Sequence, residues 1–116
     1  MIGVIFEVWP KPEHKDKYLK LAAELKSTLE AIDGFVSVER FQSIYDEDKM
    51  LSLSFFESHD ALDEWRNEAE HRVAQRIGRG SYFEDYRLRV VKVERDYGKH
   101  NRDETPADSK TELADS

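Results

Sequence analysis

The sequence predicts an α+β domain of the ferredoxin-like type, with the order βαββαβ, a four-stranded antiparallel sheet and two helices on one face. Apolar and β-branched residues fall into four short runs. Two stretches with helical spacing of apolar residues separate these runs as strand, helix, strand, strand, helix, strand. Turn-forming residues stand at most of the junctions. This order is the split βαβ arrangement.

The first strand and the first helix are clearly delimited. Residues 2–9 are rich in β-branched and aromatic side chains and stop at Pro10. Pro12 suits the first turn of a helix, and Gly34 suits its C-terminal cap, after which Phe35 can fold back onto the last turn. Lys and Glu fill one helix face, and the apolar positions of the other are Tyr18, Leu21, Ala22, Leu25, Leu29 and Ile32.

Three further strands complete the predicted sheet. Residues 35–44 predict the second strand and residues 50–56 the third, and the polar residues 46–49 form the hairpin loop between them. After an aromatic link at residues 82–83, residues 86–93 predict the fourth strand.

The second helix follows the third strand. Ser58 or Asp60 can cap its start, and Gly78 and Gly80 end or loosen it. Its apolar positions, at spacings of three and four, are Leu62, Trp65, Ala69 and Val73.

The chain changes character at Gly98. We predict one domain over residues 1–97 and a disordered acidic tail over residues 98–116. The tail has no aromatic residue and one large aliphatic, Leu113, so it cannot bury enough surface to offset the entropy of ordering. A docking peptide is the alternative.

The composition argues against several classes of function. The net charge of −7 argues against nucleic acid and anionic membranes as partners. The absence of cysteine excludes disulfides and thiolate metal sites. No two histidines are spaced as a metal pair, so we expect no metal. Without an apolar run of spanning length or a signal-peptide pattern at the start, we expect a cytoplasmic protein.

The predicted sheet carries apolar side chains on both faces. The first strand alternates two sets, Ile2, Val4, Phe6 and Val8 against Ile5, Glu7 and Trp9. To the face away from the helices the second strand brings Phe41, the third Phe56 or Phe55, and the fourth Arg87 and Arg89. This face should be polar if the domain stands alone, so aromatic groups there predict cover by a second copy or a ligand. We expect a homodimer, and a monomer with a half-exposed sheet is the alternative.

Several features together resemble the antibiotic biosynthesis monooxygenase family. They are the βαββαβ order, the run LSLSFF at residues 51–56, Trp65 on the second helix, His71 soon after, and Tyr86-Arg87 opening the last strand. The resemblance covers residues 1–97. It implies a dimeric α/β barrel with paired sheets, and either cofactor-independent oxidation of aromatic compounds by molecular oxygen or oxidative haem breakdown.

The resemblance and the chemistry of a cofactor-free oxygenase together predict a site. Such an enzyme takes a proton from a phenol or enol, because the resulting carbanion can reduce oxygen; it needs a base, oxyanion donors and a dry pocket. The predicted catalytic residues are His71, as base, Trp65 and Asn67. For a small aromatic ligand, the predicted walls are Phe6, Phe41 and Phe56, and the predicted oxyanion donors are Tyr86, Arg87 and Arg89 with Asn67. The plainer interpretations are a core tryptophan at Trp65 and a surface histidine at His71.

We predict no cofactor, with haem as the alternative. The haem-degrading branch shares the tryptophan but has an asparagine on the first strand, where this chain has residues 4–6, VIF. Its iron-ligating histidine comes nine or ten residues after the tryptophan, where this chain has Ala74 and Gln75. On an ideal helix His71 lies about 120° around from Trp65, so the two would not share one pocket. A non-catalytic dimeric module for ligand binding or stress response is the third alternative.

Overall fold

The structure, a computed structural model, describes residues 1–77 and 82–107, and of residues 70–77 the backbone alone. The predicted element order is confirmed. A short 3-10 turn at Pro12–His14 precedes the first helix. The elements are β1 (Ile2–Pro10), α1 (Lys15–Glu30), β2 (Phe35–Gln42), β3 (Met50–Phe56), α2 (His59–Ile77) and β4 (Phe83–Lys92).

The four strands form one antiparallel sheet in the order β2-β3-β1-β4. Both helices pack on the same face, since residues of α1 and α2 meet the same side of β1, β2 and β3 in the core. The ferredoxin-like α+β fold is thereby confirmed. Among the described helices, none is long and apolar enough to cross a membrane.

Two strand boundaries differ from the prediction by more than one residue. β2 ends at Gln42 rather than at residue 44, because the Ser43 hydroxyl accepts hydrogen bonds from the backbone N–H groups of Tyr45 and Asp46 at 3.2 and 3.1 Å, which forms a turn. β4 begins at Phe83, because this residue pairs with Pro10 past an irregularity in β1.

The connection from α1 to β2 depends on Gly34, as predicted. Gly34 has φ of +90°, a left-handed conformation that a side chain disfavours. A Cβ atom there would lie 3.0 Å from the Cβ of Ala61 on α2, so the glycine also permits close packing of the two segments. At the start of α2 the Ser58 hydroxyl accepts a hydrogen bond from the Ala61 N–H at 3.2 Å, so Ser58, of the two predicted candidates, caps the helix.

A bulge near the start of β2 sets the orientation of the strand. Phe35 pairs with Phe56, but the next pairs are Ser37 with Phe55 and Val38 with Ser54, so Val36 is an extra residue. Regular alternation from Phe35 would put Phe41 on the helix side. The bulge puts Arg40 there instead, and Phe41 on the opposite face.

The registers align residues into rows across the helix-side face of the sheet. Arg40 pairs with Ser52, Ser52 with Phe6, and Phe6 with Leu88. We call this set the Arg40 row. The neighbouring row consists of Val38, Ser54, Val4 and Val90.

The core lies at one end of the sheet and includes part of the neighbouring row. Its buried members are Val4, Leu29, Ile32, Phe56 and Ala61, and Phe35, Val38, Leu62 and Trp65 pack around them. Phe56 is fully buried and meets the Phe35 ring edge-on at 6.1 Å. Burial of one such ring contributes about 1.5–3 kcal/mol. The predicted fold-back of Phe35 onto the end of α1 is confirmed by its N–H donating to the Ile32 carbonyl at 3.2 Å.

The face of the sheet without helices is called the open face below. Among its charged groups, Glu7 forms ion pairs with Lys49 and Arg89. The Trp9 indole N–H donates to Asp46 at 3.0 Å, and the Lys49 ammonium lies 5.1 Å over the Trp9 ring. The apolar groups on this face come from β1, β2, β3 and β4 and are Ile5, Phe41, Leu51, Leu53, Phe55 and Val91.

Residues 98–107 follow the sheet as a series of turns. The Gly98 N–H donates to the Asn101 carbonyl at 2.7 Å, and the Thr105 N–H donates to the Arg102 carbonyl at 3.1 Å. The Arg102 guanidinium lies 5.7 Å over the Tyr97 ring. Residues 108–116 and the predicted helix stop at Gly78 and Gly80 lie outside the described residues. The domain boundary and the disorder of the tail stay predictions.

Candidate functional site

A cavity of about 220 Å³ lies between the helices and the sheet. The Arg40 row forms much of its floor, with Val4 and Ser54 of the neighbouring row. Its upper wall comes from both helices, through Tyr18, Leu21, Ala22 and Leu25 of α1 and Trp65 and Ala69 of α2, and Phe83 completes the lining. Leu88 is 53% exposed, so the cavity reaches solvent at β4 and a larger ligand can extend outward there.

The cavity has a polar end and an apolar end because the sheet places β2 and β3 on one side and β1 and β4 on the other. The polar end consists of Arg40, Ser52, Ser54 and the Tyr18 hydroxyl. The apolar end consists of Phe6, Phe83 and Leu88. A site of this kind fixes a ligand's orientation with few polar groups and binds the rest by apolar contact.

Tyr18 spans the cavity from one end to the other. It is 6% exposed, and its ring meets the Phe83 ring edge-on at 5.3 Å. Burial raises the pKa of the Tyr18 hydroxyl above its ordinary value, and the neighbouring Arg40 guanidinium partly offsets that rise. The hydroxyl therefore stays protonated near neutral pH and acts as a hydrogen-bond donor.

Arg40 is the charged group of the polar end. Its Nε atom is buried and has no hydrogen-bond partner. Among the described side chains, no carboxylate forms an ion pair with it. An N–H group buried without a partner costs about 1–3 kcal/mol, so this donor is available to a ligand oxygen.

The apolar end is an aromatic cluster. Phe6 meets Phe83 edge-on at 6.0 Å and lies 5.9 Å from the Tyr86 ring, and Phe83 lies 6.1 Å from Tyr86. Tyr86 is 59% exposed, so it stands at the edge of this cluster on the solvent side. Paired rings of this kind form a rigid wall.

The structure brings some of the predicted site residues together and separates others. Phe6 and Trp65 line the cavity, and Tyr86 contacts Phe6 beside it. Phe56 lies in the core and does not line the cavity. Of the two phenylalanines predicted as candidates for the open face, Phe55 is the one that lies there. The predicted roles of these residues in binding and catalysis, for Phe6, Trp65, Tyr86 and Phe56 alike, stay predictions.

The remaining predicted residues lie elsewhere. Phe41, Arg87 and Arg89 are on the open face, Arg89 paired with Glu7. Asn67 is exposed on α2 and is not part of the cavity wall. The side chain of His71 lies outside the described residues, so its role as base stays a prediction.

Sequence reasoning missed most of the polar end. The helical spacing predicts Tyr18 as one of the apolar positions of α1, and Arg40, Ser52 and Ser54 are not among the predicted site residues. The signal was present in β3, where Ser52 and Ser54 occupy alternate positions on a face that should be apolar. The position of Arg40 in the cavity depends on the bulge at Val36, which no pattern in the sequence indicates.

Two features of the described residues bear on whether a metal or a haem can bind. In these parts of the chain no three His, Asp or Glu side chains cluster as metal ligands. The described cavity wall includes no histidine or cysteine to ligate a haem iron. The predictions of no metal and no cofactor, and the alternative of haem, stay predictions.

Comparison with known proteins assigns the family. The sequence model of the family described as antibiotic biosynthesis monooxygenase matches residues 1–77. This chain belongs to the antibiotic biosynthesis monooxygenase family. The resemblance predicted from the sequence is confirmed.

Two relatives and one solved structure illustrate the range of the family. A jasmonate monooxygenase from Pyricularia oryzae is 43% identical over 93 residues, which cover 80% of this chain and 43% of that protein. This chain thus spans less than half the length of that relative. The uncharacterized protein YqjZ from Bacillus subtilis is 34% identical over 85 residues, 73% of each chain. The structure of Rv0793 from Mycobacterium tuberculosis superposes with a TM-score of 0.72 at 19% identity, over 84% of this chain and 98% of that one.

The matched family segment includes most of the cavity of this monooxygenase-family chain. Residues 1–77 contain β1, both helices, β2 and β3. They therefore supply the whole polar end and Trp65, while β4 adds Phe83 and Leu88.

Proposed function

We propose that this chain is an oxygen-dependent monooxygenase that oxidises a small aromatic compound without a resident cofactor. The observation that carries the proposal is the cavity, whose lining is aromatic and aliphatic except for the donor groups at one end. Support for monooxygenation comes from the family and from the relative named as a jasmonate monooxygenase. The identity of the substrate is not inherited from that relative.

The proposed reaction starts from a carbonyl compound that tautomerises to a phenol or enol, and it turns the acidic methylene group of that compound into a second carbonyl. The substrate loses a proton, the carbanion gives an electron to molecular oxygen, and a carbon–oxygen bond forms. Loss of water then leaves one oxygen atom in the carbonyl and the other in water, R₂CH₂ + O₂ → R₂C=O + H₂O. The substrate supplies all four electrons, so no external reductant is needed.

The chain's own groups would act on this reaction in two ways. The hydroxyls and guanidinium of the polar end donate hydrogen bonds to the oxyanion that develops when the proton leaves. The apolar end and Trp65 exclude water, which strengthens those bonds and protects the carbanion from reprotonation. His71 is kept as the predicted base.

We also propose that the chain acts as a homodimer that pairs through the open face. Support comes from the apolar groups on that face and from Ile44 and Tyr45 beside it, which are 88% and 96% exposed. Three of the charged groups there, Glu7, Lys49 and Arg89, are already paired with one another within the chain, which lowers the cost of burying them. A cytoplasmic location is kept as part of the same proposal.

The proposed reaction is tested with purified chain, a chelator and anthrone, whose methylene group is acidic through its phenolic tautomer. We expect catalysed oxygen uptake in a 1:1 ratio to anthraquinone, with one atom of ¹⁸O₂ in the product. Trp65→Phe should lower kcat/KM about tenfold, because the cavity wall loses its fit to the bound ring. Trp9→Phe, the matched change on the open face, should leave kcat/KM unchanged.

Two outcomes would count against the proposal. No catalysed uptake with anthrone or a panel of related phenols would favour a non-catalytic binding module. Uptake that requires added hemin, with a Soret shift on mixing, would favour the haem alternative.

A further inference from the structure

The polar end of the cavity carries a formal positive charge with no counter-charge among the described residues. Arg40 lies in the lining, and its Nε atom is buried without a partner. The other polar groups of the described lining are neutral: Ser52 and Ser54 on β3, the indole of Trp65 on α2, and the protonated Tyr18 hydroxyl on α1, which is hydrogen-bonded to Arg40. Nothing described inside the cavity neutralises the guanidinium.

A cation in such a place is costly unless something pairs with it. Burying a charge in an apolar setting is unfavourable, and a buried donor without an acceptor adds to the cost. The chain could place a carboxylate beside Arg40, as it does on the open face, where Glu7 pairs with two cations. The absence of such a group from the described cavity wall leaves this position for an anion from outside.

The Arg40 row defines how a bound anion would lie. Successive partners across the sheet run from Arg40 through Ser52 and Phe6 to Leu88, that is, from the charged group to an exposed aliphatic side chain. A ligand with its negative oxygen at Arg40 therefore directs its apolar body over Phe6 and toward the opening at Leu88.

We propose that Arg40 binds an anionic oxygen that the substrate already carries in its ground state, so that this site selects small apolar anions over their neutral counterparts. The anionic oxygen belongs to a carboxylate or to a phenolate. This inference rests on the proposed function, which places the substrate in this cavity. Beyond the proposed function, the inference states that the substrate is an anion and that Arg40 recognises its charge.

The test measures binding without turnover. Full-length chain is titrated by calorimetry at pH 7, without oxygen, with naphthalene-2-carboxylate and the isosteric neutral naphthalene-2-carboxamide. We expect the carboxylate to bind at least tenfold more tightly than the carboxamide. Arg40→Gln should weaken the carboxylate by about 10- to 100-fold, the effect of a lost hydrogen bond to a charged group, and the carboxamide by less than about threefold.

Two further variants separate recognition from folding. Arg40→Lys keeps the charge and should keep the preference for the carboxylate, at lower affinity because the planar fork is lost. Arg66→Gln removes a charge from an exposed part of α2, outside the cavity, and should bind both ligands as the native chain does. Thermal melts of all variants check that each is folded.

A third ligand distinguishes the two sources of the anion. With 2-naphthol, absorbance follows ionisation of the phenol as the pH is raised. A pKa lowered in the complex with native chain but not with Arg40→Gln assigns the site to a phenolate. Carboxylate preference without this shift assigns it to a carboxylate.

Equal affinity for carboxylate and carboxamide in the native chain would overturn the inference, as would equal weakening of both by Arg40→Gln, or no binding of either ligand at millimolar concentration. These results are independent of oxygen uptake. Anion selectivity through Arg40 without oxidation of anthrone would retain this inference and reject the monooxygenase. Oxidation of anthrone without anion selectivity would reject this inference and retain the monooxygenase.

Discussion

The arginines on the two faces of the sheet differ in whether a carboxylate pairs with them. On the open face Arg89 forms an ion pair with Glu7, which also pairs with Lys49, so this arginine has a counter-charge within the chain. On the helix side Arg40 lies in an apolar cavity, and its Nε atom has no partner. A satisfied charge network suits a surface that another copy of the chain can cover. An unsatisfied donor in a cavity indicates a place where a ligand completes the bonding.

The largest expected effect is the loss of dimerisation when the proposed interface on the open face is disrupted. Leu53→Lys places a charge between Ile5 and Glu39, its partners across the sheet. If two open faces pair, this takes the ammonium out of water together with the Glu39 carboxylate opposite it, and because the desolvation exceeds their attraction the dimer should weaken by more than about 100-fold. Light scattering with size-exclusion chromatography measures the mass over a dilution series.

Ala23→Lys is the matched control for that change. Ala23 is exposed on α1, away from the open face, so the same added charge should leave the mass unchanged. A native chain that is monomeric throughout, or a Leu53→Lys chain that stays dimeric, would refute the proposed mode of pairing.

A smaller effect concerns the charges of the open face. Lys49 and Arg89 lower the pKa of Glu7 from its usual 4.5 through charge-assisted hydrogen bonds, mainly that from Lys49. A carboxyl with a lowered folded pKa stabilises the fold above 4.5, and this contribution is lost as the pH falls through the folded pKa. Glu7→Gln should therefore melt below the native chain at pH 7, and the difference should shrink by pH 3.

The control for that series is Glu39→Gln, an exposed carboxyl on the same face. It should change neither the melting temperature nor its pH dependence to a comparable degree. A Glu7→Gln chain whose deficit is the same at pH 7 and pH 3 would show that the carboxylate charge is not the cause.

The smallest effect concerns the cost of keeping Arg40 in the cavity. Arg40→Met removes the guanidinium, whose buried Nε has no partner, and fills much of the same volume with an apolar side chain. We expect stability to rise by about 1 kcal/mol, a gain of roughly 4 °C in Tm, while anion binding is lost. A lower Tm would mean that the guanidinium is satisfied in solution, which would weaken the contrast between the two faces.

Sequence patterns predicted the elements well where local chemistry decides them. Gly34, with its left-handed backbone, and Ser58, whose hydroxyl caps α2, each act within a few residues of where they stand. The strand faces of β1 also followed from simple alternation. These features depend on short-range geometry that a sequence displays directly.

The site was less accessible because it depends on register. Arg40, Ser52 and Phe6 are distant along the chain and become neighbours only through the pairing of three strands. Phe41 was predicted as a cavity wall, but one extra residue at Val36 moves it to the open face. A slip of one residue exchanges the faces of a whole strand, and no periodicity in the sequence marks where the slip occurs.

The bulge at Val36 also has an evolutionary consequence. Deleting this one codon would restore unbroken alternation in β2 and leave every later pair unchanged, with Arg40 still opposite Ser52 and Phe41 still opposite Leu51. Retaining the residue in regular pairing would instead exchange the faces of Arg40 and Phe41, so the cavity would lose its charge and the surface proposed to pair would gain a cation. Relatives whose β2 is one residue shorter and has no bulge should therefore keep the same two faces as this chain.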